Sequence, residues 1–498
     1  MINKKQFIIA KKKIHSSDYI YVELKNNYIL SYHKDLNIYI NKQYEIILLG
    51  IAWQVKEKKE DPVSEIEKLA EKYEGYIPEE EILRMEESWC GRYVLIVNEK
   101  IYLDATGLLG IFYSREGISS SCMMLAEIMG LPQIIYRPTF GFNWLPGPLT
   151  QYEQIKRLLP SQIYNYNDQT INSRQLLATH IPRYKDEQER IEAFSELFSN
   201  SLHNLQDMFP EKKILIALTG GYDSRTLLAL AEYAGIDFDC YTLDHKKISD
   251  GDVEIPQKLC KALKKKYTYI PRKKKYSKEL EKEYIMHTGG LADDEDKRFY
   301  AYGQYRDLVQ KYGNIVLLRS SVWETVINYY QKFLDDKGKL DIESIYSFFV
   351  ANELVQKSLK SYFEWLEKTK QVGISDCDRF FWEQRNASWL SPIEQSFDIM
   401  EDITSLQPVN SRFLISMLAD FPIQERRVKK HQDKLIAYVC PELDGIEYAK
   451  KKHGINKMIF NRVGKLVVRI RIMGISKTIK TYIKLMQEER NLKKLKSK

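Results

Sequence analysis

The sequence predicts two architectures in one chain: a β-rich sandwich, then a doubly wound parallel sheet with helical additions, ending in a basic tail. Three observations carry this reading. Residues 1–175 hold short apolar alternations separated by turn residues (NYILSYH, YEIILLGIAWQV, GRYVLIVNEKIYLDA, IFYSREGISSS), the pattern of stacked sheets. From Ile191 the apolar period becomes helical, through Phe194, Phe198, Leu202, Leu205 and Phe209. The stretch KKILIALTGGYDSRTLLALAEYAG then reads as strand, turn and helix. The expected divisions are 1–185, 186–449 and 450–498.

Residues 214–218 form a nearly continuous apolar run, as a strand buried on both faces of a parallel sheet requires. Thr219, Gly220, Gly221, Tyr222, Asp223 and Ser224 make the turn. A helix follows from Leu227, and Gly235 can end it. FDCYTL (238–243) reads as a second strand, 252–264 as a helix with Ile255, Leu259 and Leu263 on one face, and 267–270 and 314–318 as two further strands. Strand and helix in alternation imply a parallel sheet whose ligand lies outside the carboxyl ends of its strands.

With 498 residues, 44% hydrophobic and 29% charged, disorder, collagen-like repeats and a bare coiled coil are excluded. Cys90, Cys122, Cys240, Cys260, Cys377 and Cys440 show no zinc or dithiol spacing, which together with the absence of a leader-like or membrane-spanning apolar run points to the cytoplasm. Residues 450–498 carry sixteen Lys or Arg against two acids, a local +14, so residues 1–449 carry −6 of the total +8. A basic tail on a mildly acidic body is not the charge layout of a nucleic-acid-gripping domain.

Two glycines at a strand-to-helix turn let a ligand approach the backbone, and a helix N-terminus presents unpaired N–H groups to an anion. Thr219 and Ser224 add hydroxyls. From physics alone the alternative is a plain βα turn with a capping Asp or Ser. The turn nevertheless resembles the S-G-G-x-D-S pyrophosphate loop of the adenine nucleotide α-hydrolase fold, with Thr for the first Ser. The resemblance implies ATP and Mg²⁺ as cofactors, chemistry at the α phosphorus, nucleotide binding by Thr219 to Ser224 and Leu243, and Asp223 as metal ligand.

Over residues 20–445 the wider order resembles asparagine synthetase. Trp89, Gly91, Arg92 and Tyr93, the turn Asp104-Ala105-Thr106-Gly107-Leu108-Leu109-Gly110, residues 119–127, Gly147 and residues 155–160 are similar to that family's glutaminase domain and its approach to the synthetase domain. Later, Gln407-Pro408-Val409-Asn410-Ser411-Arg412-Phe413-Leu414 and Phe421-Pro422 resemble R-V-P-F-L-D and L-P. Val428 to Leu435 resemble the closing K-x-x-L-R segment, with Lys430 as its catalytic lysine and Lys434 in the arginine's place; a solvated basic helix face is the alternative. Where the family has S-G-E-G-x-D-E, this chain has Leu318-Arg319-Ser320-Ser321-Val322-Trp323-Glu324, keeping Glu324 as the second catalytic candidate. Arg319 is either a phosphate partner or a salt-bridge residue.

Position 2 is Ile rather than the family's nucleophilic Cys, and no N-G-E-I-Y-N-like segment is found. A glutaminase-like domain without glutaminase activity is therefore expected, with Cys90 and Cys122 both read as core cysteines inside strand-like patterns. Asp293, Asp294, Glu295 and Asp296 read as a solvated loop or a Mg²⁺ recruiter. Val463, Leu466, Val467 and Ile470, flanked by basic residues, read as a helix face for an anionic membrane or for the protein's own acidic body. The resulting expectation is an ATP-dependent ligase that adenylates a small-molecule, saccharide or peptide carboxylate and transfers it to ammonia or an amine, with no nucleic-acid partner and with a homodimer allowed. The alternatives are a non-catalytic nucleotide-binding scaffold and a pyrophosphate-loop enzyme modifying tRNA.

Overall fold

Phe7–Ala10, a four-residue apolar run between lysines, is a fully buried strand inside the first of two six-stranded antiparallel sheets. The computed structural model describes residues 4–449, apart from 58, 60, 138–143, 246–247, 273–276, 293–299, 336 and 350–351, together with 479, 483, 487 and 490. The acidic run 293–296 and the apolar face at 463–470 lie outside the described residues.

The first sheet runs in the order Lys156–Arg157, Phe112–Ser114, Gly117–Ser119, Phe7–Ala10, Ile29–His33, Tyr19–Glu23. The second runs Ile171–Ser173, Gln162–Asn165, Lys100–Leu103, Trp89–Val97, Ile46–Gln54, Ile38–Asn41. Phe7, Ile9 and Leu30 of one meet Ile47, Leu49, Val94 and Ile96 of the other in a shared core, as two stacked sheets must if both are to hide their inner faces. The alternate residues Ile46, Leu48 and Leu95 pack on Ile66, Ala70 and Ile82 of the helices Pro62–Lys72 and Glu79–Glu86. Burial of both faces explains why these strands read as continuous apolar runs. Cys90 lies in a strand as expected, but Cys122 opens the helix Cys122–Ile128, because Ser121 accepts from the Met124 N–H and caps it.

Beyond the helix Glu187–Met208, a five-stranded parallel sheet runs in the order Tyr267–Ile270, Phe238–Leu243, Lys213–Ala217, Ile315–Leu318, Ile403–Leu406. The chain leaves the central strand Lys213–Ala217 to one side and later returns to its other side. The switch point therefore falls between Lys213–Ala217 and Ile315–Leu318, and the crevice outside their carboxyl ends is where such sheets take ligands. Ile214 and Ile216 face one core and Leu215 the opposite one, so the central strand is covered on both sides.

The two architectures share a core. Trp53, Val55, Cys90, Ala105 and Leu108 pack with residues of the parallel-sheet region. Asn410, just past the last parallel strand, donates to the Gly91 carbonyl (2.6 Å) and to Asp104 (2.9 Å) and accepts from the Thr106 hydroxyl (2.7 Å). Arg92 grips Asp398 through two 2.7 Å bonds, and buried Glu86 pairs with Arg174 and Arg412. No helix among the described residues is long and apolar enough to cross a membrane.

Candidate functional site

At the switch point the chain turns through Thr219-Gly220-Gly221 into the helix Tyr222–Ala234, which begins at Tyr222, five residues before the expected Leu227. Gly235, at φ +67°, ends it in the left-handed conformation that glycine adopts without strain. The turn is braced from within. The Thr219 N–H donates to the Ser224 hydroxyl (3.1 Å), the two hydroxyls lie 3.2 Å apart, and the Gly221 N–H donates to the Thr219 hydroxyl (3.3 Å). From outside, Asp252 accepts the Gly220 N–H at 3.1 Å while holding the Ser249 hydroxyl at 2.7 Å.

Gly220 has no room for a side chain unless its neighbours shift. A Cβ there would stand 2.3 Å from the Ala449 Cβ and 2.8 Å from the Gly251 carbonyl oxygen. The Ala449 N–H donates to the Gly220 carbonyl at 2.9 Å, so residues near 449 lie directly against the turn.

One lysine joins the turn to the second strand end of the crevice. Lys429 Nζ donates to both oxygens of Asp223 (2.9 Å each) and to Glu324 Oε1 (3.0 Å), and Gln432 adds a 2.9 Å bond to Asp223. Burial and the neighbouring Glu324 push the Asp223 carboxyl above its ordinary range even though Lys429 pulls it down. Burial opposes the charge on Lys429, but Asp223 and Glu324 outweigh it and hold its ammonium above the usual lysine range. A cation between two half-buried carboxylates leaves one net negative charge beside the turn.

Lys429, not the expected Lys430, is the lysine that contacts Asp223 and Glu324. Lys430 is exposed at the first position of the helix Lys430–Val439, whereas Lys429 takes φ +65° between that helix and Ile423–Val428. This left-handed residue breaks helical register, so a helical reading of the Lys-Lys pair is off by one. Lys434 is held by Glu187 and Glu425, each at 2.7 Å. Arg319 is committed to Glu394 at 2.5 Å, the salt-bridge reading of that residue. Leu243, at the carboxyl end of its strand, is partly buried against the core around Leu215, Tyr241 and Ile270. Glu324 sits in the 3₁₀ turn Ser321–Val326.

No protein-family model matches the chain, and no curated protein matches it. Among solved structures the chain is similar to an NMN synthetase from Francisella tularensis, at 15% identity and a TM-score of 0.21, over 49% of this chain and 97% of that one. It is also similar to an NAD⁺ synthetase from Burkholderia pseudomallei, at 12% identity and a TM-score of 0.19, over 48% and 88%. At these scores the likenesses carry no argument about activity, which has to come from the site itself.

The donor set suits one metal of the hard, oxygen-seeking kind. Among the described residues no group of three or more His, Cys, Asp or Glu is assembled for a metal. Mg²⁺, however, commonly takes only one or two protein carboxylates and completes its shell with phosphate oxygens and water. Asp223 and Glu324 are two such carboxylates, but the Lys429 ammonium already occupies both Asp223 oxygens and one of Glu324, so a metal would take its place beside them. Sequence reasoning did not find Asp252, Gln432 or Arg225. Arg225 directly follows the turn motif, a signal that was available; the other two carried none.

Proposed function

We propose that the chain is an ATP-dependent carbon–nitrogen ligase of the asparagine synthetase kind, which adenylates a carboxylate and passes the acyl group to ammonia or an amine, without glutaminase activity. The observation that carries this is Lys429 held between Asp223 and Glu324 at the mouth of a Gly-Gly turn, at the switch point of a parallel sheet. In the first step a carboxylate oxygen bonds to the α phosphorus and the bond to the β phosphate breaks, releasing pyrophosphate. In the second, a nitrogen lone pair attacks the acyl carbon, AMP departs and the nitrogen loses a proton. The N-terminal N–H groups of Tyr222–Ala234 and the hydroxyls of Thr219 and Ser224 suit a pyrophosphate anion. With Asp223 and Glu324 engaged by Mg²⁺, Lys429 would supply positive charge where negative charge develops, the condition for stabilising a transition state above a ground state. Mg²⁺, held by Asp223 and Glu324, would neutralise the phosphate oxygens.

All six cysteines are buried, which supports external ammonia or an amine as nitrogen source. The deciding experiment is pyrophosphate release from ATP across a panel of carboxylates, with ammonium or amines. Dependence on both substrates supports the ligase. Release of ADP and orthophosphate overturns it, and ATP binding with no turnover in any combination favours a nucleotide-binding scaffold.

A further inference from the structure

Residues 446–449 form a strap against the turn, and Arg225 is what holds them. Its guanidinium donates to the carbonyls of Ile446 (2.5 Å) and Glu447 (2.6 Å) and lies 3.8 Å from the centre of the Tyr448 ring. The opposite partner of that ring is Tyr222, stacked at 3.8 Å and 14°. The Tyr448 hydroxyl donates to Asp433 at 2.5 Å, and Glu447 pairs with Lys258 at 2.6 Å. The strap ends where Ala449 donates to Gly220 and its methyl fills the space that a side chain at 220 would need.

Two of these partners, Tyr222 and Arg225, belong to the first turn of the helix that the Gly-Gly turn opens. The strap therefore clamps the helix start and Gly220 together from a segment that begins 221 positions after Arg225. A guanidinium bound to two carbonyls and stacked on a ring has a fixed orientation that an ammonium would not reproduce.

We propose that Arg225 is a positioning residue: through Tyr448 and the 446–449 backbone it sets the shape of the 219–224 turn, and with it the affinity for the phosphates of ATP. The affinity part rests on the ligase reading; the turn-shaping part does not. A change of turn shape that weakens phosphate contacts made equally in the ground state and the transition state raises nucleotide KM and leaves kcat far less changed.

The test uses the full chain as wild type, Arg225→Lys, Tyr448→Ala and Tyr448→Phe, each checked by thermal melting. Amide hydrogen exchange at residues 219–224 is measured first, without nucleotide. Faster exchange in Arg225→Lys and Tyr448→Ala, with wild-type protection in Tyr448→Phe, which keeps the stack, is the expected result. Unchanged exchange in both disruptive variants overturns the proposal. The KM for ATP in pyrophosphate release should then rise about tenfold to a hundredfold in those two variants, the loss of one or two charge-assisted phosphate contacts, and be restored in Tyr448→Phe. Tighter ATP binding in them would also overturn it, because the strap would then be an obstruction. A wild type that cleaves no ATP but shows the exchange pattern sinks the ligase reading and leaves the strap standing.

Discussion

Lys429 contacts both oxygens of Asp223 at 2.9 Å across 206 positions of sequence, and this ion pair, with Glu324 as its third member, is the most fully built charge arrangement at the switch point. Replacing Lys429 by Met should lower pyrophosphate release by ~10² or more while leaving the fold intact. The residue already sits at positive φ, so Met adds no new backbone strain. The same change at exposed Lys430 should leave the rate near wild type. Steady-state rates of the two variants decide it, and the reverse ranking would move the cation back to position 430.

Gly220→Ala should destabilise the protein by about 1–3 kcal/mol, as over-packing does, and abolish ATP binding. Adding Ala449→Gly should recover only part of the stability, because the Gly251 carbonyl would still stand 2.8 Å from the new methyl. Denaturant melts of the single and double variants test this. A Gly220→Ala protein as stable as wild type would show that the strap gives way.

Glutamine should yield no glutamate. Cys90 lies 3.2 Å from the Pro408 carbonyl, and burial pushes its thiol well above the ordinary range. Burial also pushes the Cys122 thiol up to about 12. A nucleophilic cysteine needs the opposite environment. Glutamate production that stops on alkylation of either thiol would overturn this.

Stability should fall as pH drops below about 6.5. Burial lowers His287 to about 4, against the pull of Asp398. Burial, with Arg426 and Lys429, lowers His431 to about 3. The unfolded chain titrates near 6.5 and so binds more protons than the folded one between those values. The contribution is complete above 6.5 and declines toward acid by up to about 1.4 kcal/mol per pH unit for each histidine. His431→Phe, placed beside Phe421, should flatten the slope between pH 6.5 and 4. Equal slopes in wild type and variant would rule His431 out.

The doubly wound sheet was legible because four of its strands announce themselves locally. Ile214 to Leu218 is apolar on both faces, FDCYTL is mostly apolar, and the turn after the first has glycines at its start. The fifth strand, Ile403–Leu406, is ITSL behind two acids; it becomes a strand by pairing with Ile315–Leu318, a distant partner that no local period encodes. The candidate site divides the same way. Thr219 to Ser224 form one contiguous motif and could be read. Asp252 reaches Gly220 from 32 residues away and Gln432 reaches Asp223 from 209, so neither has a spacing to recognise. That Lys429 rather than Lys430 turns toward Asp223 was not legible, because a left-handed residue at a helix junction has no signature in a Lys-Lys pair.

Asn410 fills all its principal bonds with groups from the turn around Asp104 and from Gly91, and Arg412 two positions later reaches Glu86. These contacts make the seam at 185/186 a poor place to cut. A fragment beginning at 186 would expose a buried amide and a guanidinium whose partners had been left behind, and the hinge between the fifth strand and the helix Arg412–Ala419 would lose its seat. The β-rich half is thus a keystone whose shape the parallel-sheet half depends on.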